Sequence, residues 1–188
     1  LNDLKDKKIL LRLDLNVPLK NGVIEDETRI NKILPILKFL IKENSKIIIV
    51  SHIGRPKGKK DLKLSLKPVC ENLEKKLNQK INLISENLTK IKNTDLFKNL
   101  TENILILENI RFNIEEERND LEFSKNLASL ADIYINDAFS CSHRAHASVT
   151  KITNFLPSYP GLQLTSEIKA LEKVTINIKK PVTCIIGG

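Results

Sequence analysis

Short, continuous apolar runs rich in Ile, Leu and Val recur at 8–13, 46–50, 81–84, 103–107, 132–135 and 182–186. They do not alternate cleanly between apolar and polar positions, which is the pattern of strands buried on both faces of a parallel sheet. Between them lie segments with apolar residues at helical spacing, at 29–43, 66–77 and 121–131, and Thr28, Ser65 and Asp120 stand where N-caps belong. Pro35 inside the first of these predicts a kink or a late start. The stretch 87–100 has no clear pattern. Strand alternating with helix predicts an α/β fold, a Rossmann-like open parallel sheet with helices on both faces.

In such sheets ligands sit outside the carboxyl ends of the strands, where loops converge and helix N-termini point their N–H groups inward. Polar residues follow four of the runs: Asp14 and Asn16 the first, His52 and Arg55 the second, Arg111 the run at 103–107, and Asp137 through His146 the run at 132–135. Four separate segments therefore deliver polar side chains to one edge.

With 188 residues, the chain is long enough for one domain, or for one domain and part of another. Its 41% apolar and 29% charged content is that of a globular chain, and with 4% aromatics and no Trp the core must be aliphatic. No apolar run approaches the roughly 18 residues a membrane span requires, the run at 33–41 being broken by Lys38. The N-terminus carries no apolar signal region, so a soluble, unexported, cytoplasmic protein is expected. The three Cys, at 70, 141 and 184, form no CxxC pair, which argues against a disulfide framework or a zinc site. A net charge of +8 would suit a nucleic acid, but the Lys residues are scattered along the chain and stacking aromatics are few. A small multivalent anion fits better.

Only six of the 31 basic side chains are Arg, and five of them, Arg12, Arg29, Arg55, Arg111 and Arg144, fall in or beside polar, turn-forming motifs. Arg presents a rigid fork of donors that grips carboxylate or phosphate bidentately, which Lys does not. In 12–18 the polar residues Arg12, Asp14 and Asn16 alternate with apolar ones. They either orient a hydroxyl or carboxylate from one side of an extended segment, or form a strand end in which Asp14 pairs with Arg12 or caps a turn. In 51–58 Gly54 permits close backbone approach while His52 and Arg55 offer donors to phosphate; the alternative is a basic surface loop, and the pattern is no P-loop. Arg111 serves an anion or pairs with the acidic run 115–117. In 137–148 two His flank Arg144, as in an anion clamp, with His146 expected to pack and His143 to support the loop. No donor set there completes a metal site, and Cys141 and His143 stand too close in sequence to face each other as a nucleophilic pair.

In this order, Arg12-x-Asp14-x-Asn16-Val-Pro, Arg29, Ser-His52-x-Gly54-Arg55-Pro, Glu-Asn-x-Arg111-Phe and Asp137-Ala-Phe-x-x-x-His143-Arg144-Ala-His146 resemble the N-terminal half of phosphoglycerate kinase over nearly the whole chain. The resemblance implies reversible phosphoryl transfer between 1,3-bisphosphoglycerate and ADP, with 3-phosphoglycerate held here and Mg-ATP or Mg-ADP held by a C-terminal lobe absent from this chain. It places the carboxylate and hydroxyl end of the ligand at Asp14, Leu15, Asn16 and Arg29. The phosphate falls at His52, Arg55, Arg111 and Arg144 beside the Ile53–Gly54 backbone. Asp137 and His143 take supporting roles. It implies Arg29 as the catalytic charge on the migrating group, no metal or cofactor ligands in this half, no nucleic-acid or membrane partner, and a monomeric complete enzyme. A non-catalytic phospho-ligand module is the alternative. By the same resemblance 1–160 is the substrate lobe, 161–180 an interdomain helix and linker, and 181–188 the first strand of a truncated second lobe. The isolated fragment is then expected to be inactive. Ser140 stands where the family commonly has Gly.

Overall fold

Six strands form one parallel sheet in a computed structural model that describes residues 4–89, 91, 96, 97, 101–176, 178, 180, 181, 183 and 185. In chain order the strands are β1 (Lys8–Leu13), β4 (Lys46–Val50), β5 (Asn82–Ile84), β6 (Ile104–Leu107), β7 (Ile133–Asp137) and β8 (Ser158–Pro160), and a small hairpin of β2 (Leu19–Lys20) and β3 (Val23–Ile24) stands apart. Across the sheet the order is β5-β6-β4-β1-β7-β8, with every pairing parallel. The helices are α1 (Thr28–Lys42), α2 (Lys67–Leu77), α3 (Ile114–Glu117), α4 (Leu121–Ala128) and α5 (Leu162–Thr175).

The pleat divides the apolar runs between two cores. Ile9, Leu11, Ile47, Ile49, Ile104 and Ile106 face α1 and α2, whose Ile33, Leu37, Leu40, Val69 and Leu73 close that side. Leu10, Ile48, Val50, Leu105 and Leu107 face the other way, onto Phe123 and Leu127 of α4. A continuous apolar run thus serves a strand with no solvent face.

Several boundaries differ from those read off the sequence. Thr28 is the first residue of α1 rather than its cap; Asp26 accepts its N–H at 2.8 Å and its hydroxyl at 2.6 Å. α1 does not start late: it begins at Thr28 and runs through Pro35, which lies on the exposed face, where water can serve the carbonyl left without its usual N–H. Ser65 stands two residues before α2, yet its Oγ accepts the Lys67 N–H. Asp120 caps α4 as expected, accepting from Phe123 N at 2.8 Å. The run at 132–135 gives β7 at 133–137, so Asp137 is a strand residue. The edge strand β8 has no apolar signal of its own. The strand expected at 182–186 falls largely outside the described residues. Among the described residues, no helix is long and apolar enough to cross a membrane.

Candidate anion site at the sheet edge

The four central strands, β6, β4, β1 and β7, end side by side, and the loops that leave them are tied together by side chains bonding to main chain. Ser51 Oγ donates to Leu13 O at 2.8 Å and accepts from Leu15 N at 3.0 Å, joining the ends of β1 and β4. Asn16 Oδ1 accepts from Gly54 N at 2.9 Å. Asn109, just beyond β6, donates to Ile53 O and Leu64 O, and Arg111 Nη1 donates to Gly54 O at 3.0 Å. Gly54 has a φ of +63°, a backbone conformation that L side chains rarely adopt, so the turn favours glycine. These bonds fix the loop carrying His52 and Arg55 against the loops on either side.

They enclose a cleft of about 250 Å³ lined by Asn16, Arg29, His52, Gly54, Arg55, Arg111, Ser140, Cys141 and Arg144. Four guanidiniums therefore share one cleft, and no carboxylate lines it. Arg111 is buried, and that burial lowers its pKa from the ordinary value, although a guanidinium keeps its proton. Its Nε lies 3.7 Å from Glu117, beyond hydrogen-bond reach. The side chains of Arg55 and Arg144 form no ion pair or hydrogen bond among the described residues, so their charge is available to a ligand. At the margin Arg29, the second residue of α1, pairs with Asp14, which also accepts from Ser140 Oγ at 2.5 Å. Beyond this pair a second cleft of about 210 Å³ runs between α1 and α5, lined in part by Lys32, Asp137, Phe139, Gln163 and Glu167.

A buried polar network lies beneath the cleft. Arg12 is fully buried, and it donates from Nε to Ser148 Oγ at 3.1 Å, from Nη1 to Leu13 O at 2.6 Å, and from Nη2 to His52 Nδ1 at 3.1 Å. Ser148 passes the contact on to buried Glu116, donating from Oγ at 2.6 Å and from N at 2.9 Å. Burial works to raise the Glu116 carboxyl, but the His146 ring, the Arg12 guanidinium and the Ser148 donors oppose it and hold it below the usual range. Burial, aided by the positive charge of Arg12 and Arg111, pushes His52 down to about 2, so the ring is neutral.

Of the residues expected at the site, Asn16, Arg29, His52, Gly54, Arg55, Arg111 and Arg144 line the cleft, and Asp14 borders it through Arg29. Leu15 and Ile53 do not line it: both side chains belong to the core, Leu15 N is taken by Ser51 and Ile53 O by Asn109. Arg12 does not share a face with Asp14 and Asn16 as the alternating pattern implied; it turns into the interior, because Ser148 and Glu116 await it there. His143 is exposed and away from the cleft. Asp137 accepts from Leu164 N at 2.9 Å and so caps α5 across the chain. Sequence reasoning missed Ser148 and Glu116. Glu116 sits in an acidic run that reads as solvated, and nothing in its neighbours marks it as the one that is buried.

Comparison with known proteins supplies a family. The model of the family described as phosphoglycerate kinase matches residues 1–188. The chain is similar to the phosphoglycerate kinase of Wolbachia pipientis wMel, 50% identical over 186 residues, covering 99% of this chain and 46% of that protein. It is 44% identical to that of Dictyoglomus turgidum, covering 99% and 47%. Among solved structures, phosphoglycerate kinase from Coxiella burnetii superposes with a TM-score of 0.85 at 38% identity, covering 95% of this chain and 44% of that one. The enzyme from Pyrococcus horikoshii OT3 gives 0.82 at 28% identity, covering 95% and 45%. The chain spans about half the length of the curated relatives it matches.

Proposed function

The chain belongs to the phosphoglycerate kinase family, and from that premise we propose that it is the lobe that holds 3-phosphoglycerate for reversible phosphoryl transfer between 1,3-bisphosphoglycerate and ADP. The observation that carries this reading is a cleft of four guanidiniums and a neutral imidazole with no carboxylate among its lining residues. Phosphoryl transfer asks a protein mainly for positioning and for positive charge on the oxygens of the migrating group. His52, Arg55, Arg111 and Arg144 would grip the ligand's own phosphate. Asp14, Asn16 and Arg29 would take its carboxylate and hydroxyl end, Asn16 through the amide NH₂ that its bond to Gly54 leaves over.

Arg29 is the residue suited to the migrating charge. Its side chain is 44% exposed while its partner Asp14 is partly buried; the pair is open to solvent on the Arg29 side, so a ligand can draw the guanidinium away. The acceptor in this reaction is a carboxylate, already ionised at neutral pH, and it needs no general base. In this reading residues 1–160 are the substrate lobe, 161–180 the connecting helix and linker, and 181–188 the start of the second lobe. Mg-nucleotide is the phosphoryl donor or acceptor of the family's reaction. Among the described residues no cluster of three or more His, Cys, Asp or Glu side chains could hold a metal, and the cleft is cationic, so these residues do not fit the metal and no step is assigned to it here.

Calorimetric titration tests the reading. 3-Phosphoglycerate is expected to bind more tightly than ADP, with an affinity that falls as salt rises, because screening acts on exposed charge. Tighter binding of ADP, or binding of 3-phosphoglycerate that ignores ionic strength, would overturn it.

A further inference from the structure

We infer that Arg12, which touches no ligand-accessible surface, is a positioning residue that locks His52 in a single neutral tautomer, with Nδ1 accepting and Nε2–H presented to an anion in the cleft. This rests on the cleft's being an anion site. The geometry leaves little freedom. A guanidinium carries donors and no acceptor, so the 3.1 Å contact from Arg12 Nη2 to His52 Nδ1 requires a lone pair on Nδ1. A neutral imidazole with its lone pair on Nδ1 carries its proton on Nε2. No hydrogen bond from Nε2 occurs among the described residues, and the ring lines the cleft.

Arg12 cannot turn away to release the ring. Its other two nitrogens are committed to Ser148 Oγ and Leu13 O, and Ser148 is held in turn by Glu116. The buried guanidinium is thus balanced by a buried carboxylate through one hydroxyl, and both lie behind the ligand-facing side of His52. The other groups around the ring oppose its protonation or leave it unchanged. Arg111 arrives from the loop after β6, Arg144 and His146 from the loop after β7, and the Cys141 thiol stands 4.0 Å from Nδ1. A neutral donor has a use in such a place. Four guanidiniums already supply charge, and an imidazole that stayed neutral would contribute a directed N–H without a proton-dependent change in the cleft's field.

The test begins with the ligand-free, full chain. Long-range ¹⁵N–¹H spectra, with His52 assigned by the resonance missing from His52→Gln, report which ring nitrogen carries the proton. The expected pattern is a pyridine-like Nδ1 and a pyrrole-like Nε2, unchanged from about pH 8 down to about pH 5, where an ordinary His would titrate. An Nδ1–H tautomer, or an imidazolium forming near pH 6.5, overturns the inference whether or not the cleft binds anions.

Arg12→Gln then separates positioning from structure. In this variant the ring, still buried and still beside Arg111 and Arg144, is expected to stay neutral but to populate both tautomers, so that the Nδ1 and Nε2 resonances lose their separation. Binding of inorganic sulfate, a dianion throughout, should weaken about tenfold at pH 8. The same loss with the His52 spectrum unaltered would assign Arg12 a purely structural role. Should Arg12→Gln fail to fold, the wild-type spectra still decide. Sulfate binding by the wild-type chain tests the cleft itself, so failure of the cleft and failure of the tautomer lock give different results.

Discussion

Replacing Gly161 by Ala should destabilise the chain by about 2–4 kcal/mol, for reasons of space rather than backbone strain. Gly161 precedes α5 with φ −79° and ψ −178°, a conformation open to any residue. A Cβ there would overlap Asp137 Oδ1 and fall 2.5 Å from its Cβ and Cγ. Neither partner can step aside easily. Asp137 is the last residue of β7, is 2% exposed and accepts from Leu164 N, while Gly161 N is pinned to Asn136 O at 2.7 Å. Overpacking of this kind costs about 1–3 kcal/mol, and displacing the carboxylate from the helix N-terminus adds about 1 kcal/mol. Urea unfolding, followed by circular dichroism, measures the sum. Gly22→Ala is the control, since nothing lies within 4 Å of its added Cβ and only its φ of +78° is unfavourable, a cost of about 1 kcal/mol. Asp137→Ala removes the carboxylate oxygen and Cγ from the clash and leaves Cβ, so the Asp137→Ala/Gly161→Ala double variant should recover part of the cost and be more stable than the sum of the singles by about 1 kcal/mol. Additive singles, or a Gly161→Ala loss below about 0.5 kcal/mol, would refute the packing account.

Three further outcomes are expected. Burial holds the Asp137 carboxyl above its ordinary range, and one of its oxygens is buried without a partner; a raised folded pKa means that the native state binds the proton more tightly, so this residue's contribution falls as pH rises from the unfolded value near 3.8 through the folded one. Asp137→Asn, which keeps an acceptor for Leu164 N, should therefore gain on the wild type as pH rises from 4 to 7 in urea titrations, and a gap that widens in the opposite sense would contradict the burial argument. Ser148→Ala leaves Arg12 Nε and Glu116 Oε1 without their shared hydroxyl, a loss of about 2–5 kcal/mol, checked by thermal and urea unfolding; a loss under 1 kcal/mol would mean that water replaces the hydroxyl. Arg55→Ala should weaken 3-phosphoglycerate about tenfold or more in calorimetry while leaving the unfolding midpoint in place, because its side chain is exposed and unpaired among the described residues; unchanged affinity would remove it from the site.

The β-branched runs were enough to predict the parallel α/β sheet, because a strand covered on both faces has no reason to alternate and no cheaper place for its Ile and Leu. They also predicted which loops meet, since parallel strands joined by helices must send all their carboxyl ends to one edge. His52, Arg55, Arg111 and Arg144 were legible on that basis, as was Asn16, together with Gly54 where the backbone turns, while Arg29 came from the scarcity of Arg and from the family resemblance. Local chemistry was less legible where distance along the chain hid the partner. Thr28 reads as a cap until Asp26 is seen to reach its N–H, and Asp137 reads as a loop residue until Leu164, 27 positions away, is found on its carboxylate.

Arg12 shows the boundary between the two kinds of knowledge. Its alternation with Asp14 and Asn16 put it on one side of an extended segment with them, whether that row faces a ligand or pairs within itself at the strand end. What turned it inward is a hydroxyl 136 residues later and a carboxylate hidden in an acidic run, brought beneath β1 by the packing of α3 and of the loop after β7. A buried charge is tolerated only where compensating groups converge on it, and convergence belongs to the tertiary structure. The chain's pattern of apolar residues thus determined the sheet and the edge where its loops meet, because burial of apolar surface depends on each residue's own chemistry. Which cations face the ligand and which one stands behind another side chain was decided only when distant polar groups met.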